Sequence, residues 1–241
     1  MAVGFDLGDT LLRHEGVTRS WSPGYREALR VAAVACGRTL GEPEADRAVS
    51  VLERYNTRLT PRCREVSEGV IFGEVAAALM FNPGESRTIA DAFFGFYQRR
   101  VTAYPDALET LRQLNGLGVA VGVLTDVPYG MDRARVEADL AAAGLDGLVA
   151  LLLTSVEVGE RKPSQSGFLH LAAGLCVPIR ELTYVGNEEK DIEGANAAGA
   201  RSVLVDREKG KPAWGEWVRI ESLDEMLGLV AAGLGSGMAP R

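Results

Sequence analysis

The nine residues GFDLGDTLL, Gly4 to Leu12, decide how this chain is read. The apolar run that starts at Ala2 ends abruptly on the carboxylate of Asp6. A glycine-containing loop follows, then Thr10 and two leucines. One reading is a buried strand that delivers a carboxylate at its tip, where it can act as a nucleophile or bind a metal ion. The other is a capping Asp that opens a helix. On these nine residues alone both readings stand.

Further along, four more apolar runs end in the same way. VAVGVLT closes on Thr125, and LVALLLTS (Leu148 to Ser155) closes on Thr154 and Ser155. LTYVG (Leu182 to Gly186) leads into Asn187, and RSVLV (Arg201 to Val205) leads into Asp206. They are near-continuous rather than alternating, as parallel strands buried on both faces are. Helical patterns lie between them. PDALETLRQL opens on Pro105, where a missing N–H costs nothing. MDRARVEADLAAAG runs to Gly144, a C-terminal cap. SGFLHLAAGL and DIEGANAAG follow the same scheme. This alternation predicts an α/β fold with a Rossmann-like, doubly wound parallel sheet, which binds ligands at the carboxyl ends of its strands.

Residues 13–102 have a different texture. No strand pattern appears, and YREALRVAAVACG, EADRAVSVLERYN, SEGVIFGEVAAALMF and SRTIADAFFGFYQRRV are four amphipathic helix patterns split by turn signals. The expected organisation is a core of residues 1–12 and 103–241 with an all-helical, four-helix cap at 13–102. Such a cap would lie over the strand tips, excluding water and selecting substrate. The Gly-rich stretch from Gly233 to Arg241 is expected to fray.

Composition narrows the function. Of 241 residues, 46% are hydrophobic and 24% charged, as in an ordinary globular chain. The net charge of −7 without a basic block argues against nucleic acid as a partner. No apolar stretch is long enough to span a membrane. Asp6 and Asp9 interrupt the first apolar run, so no signal peptide is expected. Cys36, Cys63 and Cys176 lack zinc-ligand spacing and suit a reduced, cytoplasmic protein. No phosphate-cradling nucleotide loop is present.

Three further positions bear on chemistry. Thr125 ends a strand and can donate a hydrogen bond to a phosphoryl oxygen. Lys162, in VGERKP, can neutralise charge on such a group, and Pro163 fixes its backbone. Asn187 and Asp191, in VGNEEKD, offer hard oxygen ligands suited to Mg²⁺.

Taken in order, FDLGDTL, VLTDVP, SVEVGERKPSQSGF and YVGNEEKDIEGANAAGA resemble the four motifs of the haloacid dehalogenase superfamily of hydrolases, of the kind with a helical cap. The resemblance runs from about Ala2 to Val230. It implies that Asp6 attacks a small phosphorylated substrate and forms an aspartyl intermediate. It implies that Asp6, the Gly8 carbonyl, Asn187 and Asp191 form the Mg²⁺ site. Thr125 and Lys162 would hold the phosphoryl group, with Thr10 and Asp126 beside them.

Two positions depart from that pattern. The family's phosphatases carry a second Asp two residues after the nucleophile, as acid and base. Here that position is Gly8, and Asp9 follows it. An acid there is worth roughly 10²–10⁴ in rate. Either a turn at Gly8 brings Asp9 to the same space, or only good leaving groups react, or the chain is a weak or retired enzyme that binds phospho-ligands. Asn187 stands where the family has Asp. A unit charge at about 4 Å is worth roughly 4 kcal/mol at an effective dielectric near 20, so weaker Mg²⁺ binding is expected. A metal-independent 2-haloacid dehalogenase is a further alternative, but those carry an aromatic residue at the Gly8 position and a Ser/Asn-rich fourth motif.

Other residues read as structural. His170 lies in a helix pattern. His14 follows the first motif and is a minor acid–base candidate. Arg58, Arg62 and Arg64 read as a solvated turn, and Lys209 and Lys211 as an exposed loop. Phe93, Phe94, Phe96 and Tyr97 read as bundle core. Asp126 and Tyr129 should face the cleft.

Overall fold

The computed structural model describes residues 1–235. In chain order the elements are β1 (Ala2–Phe5), β2 (Leu12–His14), α1 (Tyr25–Ala35), α2 (Glu42–Tyr55), α3 (Glu68–Ala78), α4 (Ser86–Tyr97) and β3 (Val101–Ala103). There follow α5 (Pro105–Gly116), β4 (Ala120–Thr125), α6 (Arg133–Ala142), β5 (Leu151–Thr154), α7 (Ser155–Val158) and α8 (Gln165–Gly174). The last are β6 (Leu182–Gly186), α9 (Glu189–Ala198), β7 (Arg201–Val205), β8 (Val218–Ile220) and α10 (Glu225–Gly235).

Six strands form one parallel sheet in the order β5-β4-β1-β6-β7-β8. Strand β1 is central, with Gly4 level with Gly122 on one side and Tyr184 on the other. The chain builds β4 and β5 on one flank, then crosses to build β6, β7 and β8 on the other. The winding therefore reverses at β1, and a crevice opens beyond its carboxyl end, where Asp6 follows. Alternation along β1 feeds two cores. Val3 and Phe5 join Leu111, Leu114 and Met226 on the α5–α10 face. Ala2 joins Phe168, Leu171 and Tyr184 on the α8–α9 face. Each fully buried Phe or Leu contributes about 2 kcal/mol of transfer free energy.

The five expected strands are present. Two short elements correct the reading of residues 13–102 as free of strand. Leu12–His14 and Val101–Ala103 pair antiparallel, Leu12 opposite Ala103, as a two-stranded ribbon that leads into and out of the helices. Three half-buried residues make no apolar run, so periodicity misses them. Strand β8 escaped for the same reason. The tail expected to fray from Gly233 also needs correction. Residues through Gly235 belong to α10, and 236–241 lie outside the described residues.

Helices α1 to α4 pack on one another around an aromatic centre. Phe72 meets Phe93 and Phe94, each at 5.3 Å between centroids, and Trp21 stacks on Tyr97 at 4.2 Å. The Phe93–Tyr97 stripe is thus helix core, and Phe93 also touches Tyr129 at 5.6 Å, on the loop after β4. Among the described residues no helix is long and apolar enough to cross a membrane.

Candidate active site

A cavity of about 770 Å³ separates the carboxyl edge of the sheet from the helical layer. Nine Lys and Arg against six Asp and Glu line it, a surplus of three positive charges in a chain of net charge −7. Such a reversal focuses the field and draws in anions.

At its floor Asp6 follows β1, its backbone N–H tied to Val185 O at 2.8 Å. Lys162 Nζ stands 2.6 Å from Asp6 Oδ1 and 2.6 Å from Asp191 Oδ1, and donates to the Tyr184 hydroxyl at 3.1 Å. Leu124 O is 3.4 Å from the same nitrogen, so four oxygens surround an ammonium that has three N–H donors. Burial alone would push Lys162 down, yet Asp191 and Asp6 hold it well above the ordinary lysine range. Burial pushes the Asp6 carboxyl up to about 7, with the Asp191 charge adding to the rise and Lys162 opposing it. A carboxyl poised near neutrality at the head of a cavity is the kind of group that serves as a tuned nucleophile.

Asp191, expected in the metal site, is not among the residues that line the cavity. It is fully buried in the first turn of α9. Its Oδ2 accepts the N–H groups of Asn187 at 3.0 Å and Glu188 at 2.9 Å, and its Oδ1 faces Lys162. It orients the lysine. Thr10 also lies behind the wall, fully buried, its hydroxyl donating to Asp6 Oδ2 at 3.3 Å. Thr125, Asp126 and Lys162 do line the cavity. Burial would raise Asp126, but Lys190, Lys162 and Arg161 hold it below the usual carboxylate range.

Among the described residues no group of three or more His, Cys, Asp or Glu is arranged to hold a metal ion. Of the four expected ligands, Asp6, Gly8 and Asn187 are on the wall. Mg²⁺ is satisfied by one or two carboxylates, neutral oxygens and retained waters, so this set fits it, with one charge fewer than an aspartate at 187 would supply. Glu188 does not restore that charge freely. Burial would raise it, but Lys190 and Arg58 hold it down at about 2, and both cations pair with it.

The turn expected at Gly8 falls one residue later. Asp9 itself is left-handed, with φ of 57°, a conformation that Asp tolerates better than most residues. Its carboxylate faces Arg19 at 3.4 Å, half-exposed on the cavity rim. Gly8 lines the cavity, and a Cβ built on it meets nothing within 4 Å.

Sequence reasoning missed Tyr184, Lys190, Arg161 and Lys211. Tyr184 is fully buried and donates to Leu124 O at 2.8 Å. Lys190 reaches Asp126 Oδ2 at 2.9 Å. Lys211 is not simply an exposed loop residue. Its Nζ donates to Asn187 O at 2.8 Å, and burial, then Arg19, lowers its pKa. Arg62 is mostly withdrawn from solvent, and Arg58, though exposed as expected, is paired. Arg58 donates to Glu188 at 2.8 Å, and Arg62 to Tyr55 O at 2.6 Å and Glu65 at 3.0 Å. Arg64 is exposed, as expected. His14 lines the cavity with Nε2 2.9 Å from buried Asp139. His170 is exposed on α8, away from it.

A ribulose-1,5-bisphosphate 5-phosphatase from Halopiger xanaduensis is 36% identical over 125 residues, 52% of this chain and 51% of that one. The chain spans about half the length of the curated relatives it matches. Two solved structures share the fold at 22% identity and a TM-score of 0.66. One is a phosphatase from Thermococcus onnurineus, covering 95% of this chain and 97% of that one. The other is a 2-haloacid dehalogenase from Pseudomonas syringae pv. tomato, covering 96% and 98%. The model of one family, haloacid dehalogenase-like hydrolase, matches residues 1–199. The chain therefore belongs to the haloacid dehalogenase-like hydrolases.

Proposed function

We propose that this protein is a cytoplasmic phosphatase that transfers the phosphoryl group of a small metabolite to Asp6 and then to water. The observation that carries the reading is the Asp6 carboxylate at a strand tip, 2.6 Å from a buried ammonium, on the floor of an electropositive cavity. The Asp6 carboxylate attacks phosphorus in line. The bond to the leaving oxygen breaks as the Asp6–phosphorus bond forms. Lys162 neutralises charge on the group in transit, and Thr125 donates to one of its oxygens. Mg²⁺, held by Asp6, Gly8 and Asn187, would add positive charge at the same group. With Gly8 carrying no acid, the departing oxygen takes its proton from solvent, so aryl phosphates should react faster than alkyl ones. In this reading residues 13–102 are the cap, and three free thiols are in keeping with a reducing compartment.

The test is hydrolysis of an aryl phosphate with Mg²⁺, beside Asp6→Asn. Mass spectrometry of acid-quenched protein should find phosphate on Asp6. Turnover that persists in Asp6→Asn rejects the assignment. The dehalogenases among the similar proteins support a second reading, carbon–halogen hydrolysis. Halide released from a 2-haloacid without metal would establish it.

A further inference from the structure

The buried carboxylate of Glu65, between α2 and α3, takes no part in the chemistry above, yet it is among the most heavily bonded groups of the chain. Its side chain is 2% exposed. Arg161 Nη1 contacts Oε2, and the Ser155 hydroxyl donates to the same oxygen at 2.5 Å. Arg62 donates to Oε1 at 3.0 Å, and the Val66 N–H to the same atom at 2.9 Å. A carboxylate withdrawn from water is costly unless every lone pair is matched, and here four donors match it.

The donors come from different parts of the fold. Arg62 and Val66 belong to the helical layer, Ser155 to the tip after β5, and Arg161 directly precedes Lys162. The backbone joins the same parts. Arg161 N–H donates to Cys63 O at 2.7 Å, Glu65 N–H donates to Gly159 O at 3.0 Å, and Arg64 bridges Glu160 antiparallel. Two main-chain groups of the loop that presents Lys162 thus pair with the helical layer, while the Lys162 N–H donates to Asp126 Oδ1 at 3.1 Å. Arg161 also donates to Val127 O at 2.8 Å, and Ser155 Oγ accepts the Val127 N–H at 3.0 Å, which draws in the loop after Thr125. Next to this seam Gly130 lies so close that an added Cβ would stand 2.1 Å from Val66 O.

We propose that Glu65 is a positioning residue. It docks the helical layer onto the 159–162 and 125–127 loops, so that Lys162 and Thr125 take their phosphate-binding geometry only when that layer is seated. Seating and phosphate binding are then one equilibrium, and each favours the other. The phosphate part of this inference rests on the reading of Asp6 and Lys162 given above; the docking part does not.

The test compares wild type with Glu65→Gln, which keeps the shape and removes the charge, and with Ser155→Ala, which removes one donor. Hydrogen exchange on the full chain is the first measurement. In Glu65→Gln the amides of 159–162 should exchange faster together with those of 63–66, and Ser155→Ala should do so more weakly. Calorimetry with inorganic phosphate is the second. Its affinity should fall about tenfold in Glu65→Gln, the size of one charge-assisted hydrogen bond. A folded Glu65→Gln whose faster exchange stops at residues 63–66, with wild-type phosphate affinity, would overturn the proposal. If wild type itself binds no phosphate, the phosphatase reading fails, and exchange at 159–162 alone decides the role of Glu65.

Discussion

On the proposed reading, replacing Gly8 by Asp should speed hydrolysis of phosphates with poor leaving groups. A Cβ at that position meets nothing within 4 Å, and the backbone there is not left-handed, so the side chain enters the cavity without strain. A positioned acid contributes roughly 10²–10⁴ in rate, or about 3–5 kcal/mol of barrier. The opposing effect is repulsion from Asp6. Two like charges about 6 Å apart repel by roughly 1–3 kcal/mol at effective dielectrics of about 20–60. The cavity's surplus of three positive charges offsets part of that repulsion. The remainder raises the new carboxyl's pKa, which keeps it protonated for its role as acid. The gain should therefore win, by about 10²-fold. The assay is the ratio of kcat/KM for an alkyl phosphate to that for p-nitrophenyl phosphate. Nitrophenolate leaves without a proton, so only the alkyl rate should climb. A folded Gly8→Asp that speeds both substrates equally, or neither, would refute the acid-vacancy argument.

Other outcomes follow from the same geometry. Because burial raises Asp6 to about 7, increasing pH converts it from the acid to the nucleophilic carboxylate. Log kcat/KM should rise with unit slope below about pH 7 and level off above it, and a flat profile across that range contradicts the assignment. Lys162→Met leaves buried Asp191 without its cation. Stability should drop by about 3–5 kcal/mol and Tm by roughly 10 °C in a thermal melt, and an unchanged Tm would show that the ion pair matters little. Asn187→Asp should tighten Mg²⁺ at least about tenfold by calorimetry, since it adds a charge on the cavity wall; equal affinity would place the ion elsewhere.

The central sheet could be read from the sequence because β1, β4, β6 and β7 are apolar on both faces and stop on polar residues. Asp6, Thr125 and Lys162 could be read because a strand tip or a Lys-Pro pair marks their place along the chain. The remaining site residues depend on distant packing. Arg161 and Lys162 are neighbours, but in an extended loop their side chains diverge, one to Glu65 and one to Asp6. Lys190 and Lys211 look like surface lysines until α9 and the loop after β7 bring them to Asp126 and Asn187. Asp191 looks like a ligand, but backbone N–H groups at the first turn of α9 take its Oδ2, and its Oδ1 faces Lys162.

The ribbon of β2 and β3 sets His14 directly beside Val101. Everything between residues 14 and 101 thus enters and leaves through a single doorway two strands wide. A detour with adjoining ends can be shortened, enlarged or exchanged for another of equal end spacing without disturbing the register of the six-stranded sheet. The inserted helices and the sheet edge can then change on separate evolutionary clocks, provided that any replacement brings its own partner for Arg161.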